Sequence, residues 1–203
     1  MFSVLWKASL QFLLWTHYFS SWVTTAPATC FSTSSTLVAL VSCFDTYTVP
    51  EGFYNATTYA DAQPIGTQRA DLKDLVQGLL SVDGGNCGTA TIPSSLATIY
   101  AVASFQGYCV LYETTSVGGT YSKGWGFMVV PSFKSQIARH LHFSAPHPKF
   151  DTGTVQQAAY IFSTTGSNSL LVPGRHRNAY IYPSDCIPSY SITDPAHNIV
   201  SFT

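Results

Sequence analysis

In the stretch APHPKFDTGT, residues 145–154, a histidine and an aspartate stand four positions apart, His147 and Asp151, with prolines on either side of the histidine. An imidazole with a nearby carboxylate suits two kinds of chemistry, metal ligation and proton transfer. A second stretch, GRHRNA at 174–179, sets His176 between Arg175 and Arg177. Two guanidinium groups around an imidazole can hold a carboxylate or phosphate while the ring serves as acid, base, ligand or nucleophile. A third, TDPAHN at 193–198, adds Asp194 and His197. Together they predict a metal site of His147, Asp151 and His197, with zinc as the metal that imidazole and carboxylate ligands suit. His176 is the expected proton-transfer group, Arg175 and Arg177 are the expected contacts to an anionic substrate group, and Asp194 is a further expected substrate contact.

Two strands and a helix must position these stretches. RHLHFSA at 139–145 reads as a strand and SLLVPG at 169–174 as another. Between them Thr154 and Gln157 have the spacing of a capping box, opening a helix with Val155, Ala158, Ala159 and Phe162 on one face and a close near Gly166. Strand, helix and strand in so short a span is a βαβ unit with parallel strands. Ligands of open α/β sheets bind beyond the carboxyl ends of the strands, where APHPKFD and GRHR both fall, side by side. His140 and His142 alternate with Leu141 and Phe143, share one face of the first strand, and read as structural or partly exposed.

The preceding segment has a different style. Leu72, Leu75, Val76, Leu79 and Leu80 recur at helical spacing behind Asp71 as N-cap and before Gly84-Gly85. ATIYAVASF (97–105), YCVLYETT (108–115) and GWGFMVVP (124–131) follow as an antiparallel meander. The fold class is therefore α/β with α+β character in the first half: helix and antiparallel meander, then the βαβ unit. Residues 29–67 carry no sustained period and read as an extended lead-in to one domain, followed by helix and meander at 68–135 and the βαβ unit at 136–203.

Charged residues make up 9% of the 203 and aromatic residues 14%, so the surface must be covered by Ser, Thr, Asn and Tyr, as in secreted proteins. The formal net charge is -1 and no basic run exists to displace counterions from a phosphate backbone, which sets nucleic acid aside as a partner. Residues 43–122 hold two basic and seven acidic residues, while 123–203 hold six basic and three acidic, along with every histidine except His17. The last third is where titrating chemistry is concentrated.

MFSVLWKASLQFLLW, with Lys7 in its n-region and Ala26-x-Ala28 beyond it, reads as a secretory signal peptide over residues 1–28, and no stable membrane span is expected. Leu40-Val41-Ser42-Cys43 is the alternative cleavage box of an exported lipoprotein. Export favours disulfides over metal thiolates for the five cysteines, and with Cys30 left out, Cys43, Cys87, Cys109 and Cys186 allow three pairings. Asn55-Ala56-Thr57 is an N-glycosylation sequon.

The series APHPKFDTGT, GRHRNA and TDPAHN resembles a motif series of secreted proteins from fungi and some bacteria that have no established activity. Over residues 138–198 its layout is loosely similar to zinc-dependent amidases and carboxypeptidases with an α/β fold. That resemblance implies a zinc-dependent hydrolase of amide or ester bonds, although the amidases' glycine-rich loop after the first histidine and a catalytic glutamate are missing here. Arg175-His176-Arg177 resembles the Arg-His-Gly signature of histidine phosphatases, with Arg177 in place of glycine, and implies phosphoryl transfer as the alternative. A third alternative is a secreted protein that binds a cell-wall polymer or a host protein through Tyr121, Trp125, Tyr180 and Tyr182. A truncated, inactive copy of a longer enzyme is the fourth. The expected partner is thus a small-molecule or polymer substrate, with the oligomeric state open.

Overall fold

The computed structural model describes residues 26–182. Its centre is a five-stranded sheet in the order β1-β2-β5-β7-β6. The strands are β1 (Tyr100–Phe105), β2 (Tyr108–Glu113), β5 (Phe127–Pro131), β6 (Arg139–Ser144) and β7 (Ser167–Val172). Two further short strands, β3 (Ser116–Val117) and β4 (Thr120–Tyr121), form a separate hairpin. The meander β1-β2-β5 is antiparallel, with Val102 opposite Leu111 and Val110 opposite Val129. Strand β7 runs antiparallel to β5, and β6 runs parallel to β7. The parallel pair is joined by α5 (Thr154–Thr165), the crossover helix expected from the sequence.

The alternation of the strands builds two cores. Val110, Tyr112, Phe127, Val129, Leu170 and Val172 point to one face, where α2 (Leu37–Thr46) contributes Leu40, Val41 and Phe44 and α5 contributes Val155, Ala159 and Phe162. Cys109, Leu111, Met128 and Val130 point to the other, covered by Leu75 and Leu79 of α4 (Gly66–Leu80). The central strands β2 and β5 therefore read as near-continuous apolar runs, because both of their faces are covered, whereas the edge strand β6 is largely exposed.

Residues 29–67 are not the extended lead-in that their composition suggests. They hold α1 (Cys30–Thr33), α2 and α3 (Ala56–Ala62). Leu37, Leu40, Val41 and Phe44 do have helical spacing, but the surrounding Ser and Thr dilute the signal. These polar residues act as caps: the Thr36 hydroxyl accepts from the Ala39 N–H at 3.1 Å, and Asn55 Oδ1 from the Thr58 N–H at 2.9 Å. Helix α4 begins at Gly66, five residues before the expected Asp71 cap, whose carboxylate instead accepts from the Ser95 hydroxyl. Helix α5 is entered through Gly153 at φ 83°, and the expected Thr154 cap is its first residue, donating its hydroxyl to the Asp151 carbonyl at 2.7 Å.

Two disulfides are present, Cys30–Cys43 and Cys87–Cys109. The partner of Cys43 is thus Cys30 and not one of the later cysteines expected from the sequence, while Cys186 lies outside the described residues. Cys30 and Cys43 are brought together because α1 and α2 fold back on one another over a separation of 13 residues. Among the described residues no helix is long and apolar enough to cross a membrane.

A close backbone approach fixes the carboxyl end of β7. Gly126, at φ 89°, lies where a Cβ would come within 2.0 Å of the Val172 carbonyl oxygen, so only glycine lets the Gly124–Gly126 turn rest on the strand end at 172–174.

The Cys30–Cys43 bond holds α1 and α2 on the first core. Replacing both cysteines by serine is expected to lower the unfolding free energy by about 2–4 kcal/mol, measured by urea denaturation under non-reducing conditions. An unchanged midpoint would remove the bond from any structural role.

Candidate functional site

The two loops expected to meet do meet, and Phe150 is their junction. The Phe150 ring packs edge-on against His176 with centroids 5.4 Å apart, lies 6.4 Å from the His147 ring, and carries the Arg177 guanidinium carbon 4.5 Å from its centroid. Cation–π contact of this kind holds Arg177 over the ring. The parallel β6–β7 pair is the reason: both loops leave the carboxyl ends of neighbouring strands.

Hydrogen bonds set the state of both imidazoles. His147 Nδ1 is 3.1 Å from Asp151 Oδ2. An ionised carboxylate only accepts, so in the neutral ring Nδ1 carries the proton and Nε2 the lone pair. His176 has the opposite pattern. Its Nδ1 accepts from the backbone N–H of Asn178 at 3.1 Å, so in the neutral ring the proton resides on Nε2. The site therefore pairs an imidazole oriented as a base or ligand with one oriented as a donor.

The loop carrying His147 and Asp151 is anchored by Lys149. Its backbone is left-handed, φ 61°, rare for a residue with a side chain. The ammonium donates to the carbonyls of Thr46 and Thr48 at 2.9 and 2.8 Å, closing the carboxyl end of α2. Burial pulls the Lys149 ammonium below the usual lysine range, with Asp45 opposing that shift.

Arg175 has a different task from the anion clamp expected of it. It is 1% exposed. Residues 174–176 pair with Val49 in a parallel bridge, extending β7, and the alternation of this short segment turns Arg175 away from His176. The guanidinium donates through Nε and Nη2 to the Lys123 carbonyl at 3.0 and 2.6 Å and through Nη2 to the Ala62 carbonyl at 2.8 Å. It lies 5.1 Å from the centroid of the Tyr54 ring and 5.7 Å from that of Tyr59. Arg175 and His176 are not flanking groups of one phosphoryl site.

Glu113, unremarked in the sequence, is the anionic counterpart of Arg175. It is fully buried at the end of β2, and its carboxylate accepts from three successive backbone N–H groups, those of Lys123, Gly124 and Trp125. Burial pushes the carboxyl up to about 7, against the opposing pull of those three N–H groups and of Arg175. The signal available in the sequence was a glutamate closing an apolar strand just before a glycine-rich turn.

Among the remaining candidates, Tyr121, Trp125 and Tyr180 are buried, so of the four aromatic residues expected to form a binding surface only Tyr182 is exposed. His140 and His142 are exposed on β6, and His142 Nδ1 contacts the Ser169 hydroxyl at 2.6 Å. Asp194 and His197 lie outside the described residues. Among the described residues no group of three His, Cys, Asp or Glu side chains is arranged to hold a metal ion. Comparison with protein-family models, with curated proteins and with solved structures finds no match for this chain.

Two outcomes follow from these contacts. Replacing Lys149 by methionine keeps the stem but strips two carbonyls of their donor, so stability is expected to fall by about 1–3 kcal/mol, read by urea denaturation; no loss would detach Lys149 from the loop's geometry. For Glu113, the folded state keeps its proton between its ordinary value of 4.5 and about 7, whereas the unfolded chain has lost it. Stability from this group therefore falls as pH rises through that window and levels off above it. The unfolding free energy is expected to drop by roughly 2–3 kcal/mol more between pH 5 and pH 8 in the wild type than in Glu113→Gln, although the variant starts lower because an amide cannot accept from all three N–H groups. Equal pH slopes in the two proteins would show that Glu113 does not titrate in this range.

Proposed function

We propose that the chain is an exported hydrolase of amide or ester bonds whose site is the loop pair at the carboxyl ends of β6 and β7. The supporting observation is the complementary orientation of the two imidazoles, His147 by Asp151 and His176 by the Asn178 N–H, both of which lie against Phe150. The two disulfides are compatible with an oxidising compartment.

In this reading His147 Nε2 takes a proton from water as the water oxygen attacks the substrate carbonyl. Asp151 holds the ring in the required tautomer and stabilises the imidazolium that forms. His176 Nε2–H donates to the developing oxyanion. When the carbon–oxygen or carbon–nitrogen bond breaks, the proton on His147 passes to the leaving group. Arg177, held over Phe150, supplies the positive charge for an anionic substrate group. Arg175 acts only by fixing the segment on which His176 and Arg177 are carried.

Zinc fits this arrangement in part. A histidine whose Nδ1–H is bound by a carboxylate presents Nε2 in the manner of a metal ligand, and His147 with His197 would then hold the ion, with Asp151 behind His147. A bound zinc would supply a water of lowered pKa.

The test is hydrolysis of aryl esters and anilides with and without a carboxylate, together with elemental analysis of protein purified without chelator. The wild type is expected to turn over the carboxylate-bearing substrates, with a loss of about 100-fold or more in His147→Ala and a smaller loss in Asp151→Asn. Zinc at one equivalent, absent from His147→Ala, would establish the metal form. A wild type that hydrolyses none of the panel, or a His147→Ala variant of full activity, would overturn the hydrolase and leave a binding protein as the better account.

A further inference from the structure

We infer that Asn55 carries an N-linked glycan whose first sugar rests on the exposed ring of Phe53. The sequence contains a single sequon, Asn55-Ala56-Thr57, so any N-glycan on this chain must be attached there. Folding leaves that amide ready for it. Asn55 is the N-cap of α3, and its two amide atoms have separate tasks. Oδ1 accepts from the backbone N–H of Thr58 at 2.9 Å and from the Thr58 hydroxyl at 3.2 Å. Nδ2, the atom to which a sugar is joined, makes no hydrogen bond among the described residues. A glycosylated asparagine keeps its carbonyl oxygen, so the cap and the glycan are compatible. Asn55 and Thr57 are both exposed.

Phe53 supplies the second, independent observation. It is 46% exposed, a cost for a phenyl ring that Phe150 and Phe133 share, while Phe44, Phe105, Phe127 and Phe162 are buried. It stands two positions before Asn55, the spacing that puts side chains of an extended chain on one side, and Asn55 itself is extended at φ -89° and ψ 178°. The ring packs edge-on against Tyr54, with centroids 5.2 Å apart at 89°. An apolar CH face of the first sugar would cover the open ring, removing area that is otherwise in contact with water. Phe53 and Tyr54 also line a cleft of about 250 Å³ with Asp61 and Lys123, which the glycan would overhang. That cleft lies apart from the residues His147, Phe150 and His176 of the proposed active site.

The experiment uses the full chain with its own leader, expressed in a eukaryotic secretory host such as yeast. Intact mass is measured before and after peptide-N-glycosidase digestion in heavy-oxygen water. Digestion is expected to remove one glycan and convert Asn55 to labelled aspartate. Thr57→Ala, which leaves the Asn55 cap in place, is expected to abolish the glycan, while Thr57→Ser keeps it. A wild-type chain without a glycan, whether secreted or retained, overturns the site. For the ring, deglycosylation is expected to lower the Tm of the wild type by about 2–4 °C and to leave that of Phe53→Ala unchanged. An equal shift in both overturns the role of Phe53 and leaves the site standing.

Discussion

A guanidinium group cannot shed its charge inside a protein, so burying Arg175 obliges the surrounding structure to answer it. The answer is the peptide group between Lys123 and Gly124. Its carbonyl accepts from Arg175, and its N–H donates to Glu113. A buried guanidinium and a buried carboxyl group thus act on opposite ends of one dipole. The flanking N–H groups of Lys123 and Trp125 complete the nest around the carboxylate. Through these bonds the end of β2, the glycine turn before β5, the end of α3 and the segment after β7 are tied at a single point. Arg175 keeps its charge throughout, while the Glu113 carboxyl takes up a proton below about 7, so the peptide group answers the cation whichever form the carboxyl takes.

The position of the candidate site follows from that constraint. Because the 174–176 segment is pinned by Arg175 on its inner side and by Val49 along its backbone, His176 is delivered to the opposite side at the edge of Phe150. The second loop arrives independently, from the parallel neighbour β6, and is held by Lys149 on the carboxyl end of α2. The convergence of the two loops rests on backbone and buried contacts rather than on the imidazoles themselves. Substituting the histidines leaves those contacts intact, which is what makes their chemistry separable from their contribution to folding.

A chain with so few charges has little to gain from surface ion pairs, and the only His–carboxylate pair among the described residues is the one in the candidate site. Stability comes from the two apolar layers, and each has its own covalent tie. Cys30 belongs to the core beneath α2 and α5, and Cys87 and Cys109 to the core beneath α4. The disulfides fasten short helical segments whose burial alone would secure them weakly.

Local patterns settled much of this architecture in advance. The leucine face of α4, the meander and the βαβ unit are carried by the spacing of neighbouring apolar residues, and right-handed crossover geometry then requires the two polar loops to share an edge. The helices within 29–67 were hidden because Ser and Thr dilute an apolar period even where they serve as caps. Four features lay beyond any local pattern: the Cys30–Cys43 pairing, the burial of Arg175, the role of Glu113 and the contact of Phe150 with two histidines. The burial of Arg175 depends on distant Ala62 and Lys123, as the loop anchor Lys149 does on Thr46 and Thr48. Residue type announces that a side chain can bear charge or donate a proton. Whether it faces a substrate or the interior is decided only when distant segments have packed, because desolvation and partner geometry are properties of the assembled chain.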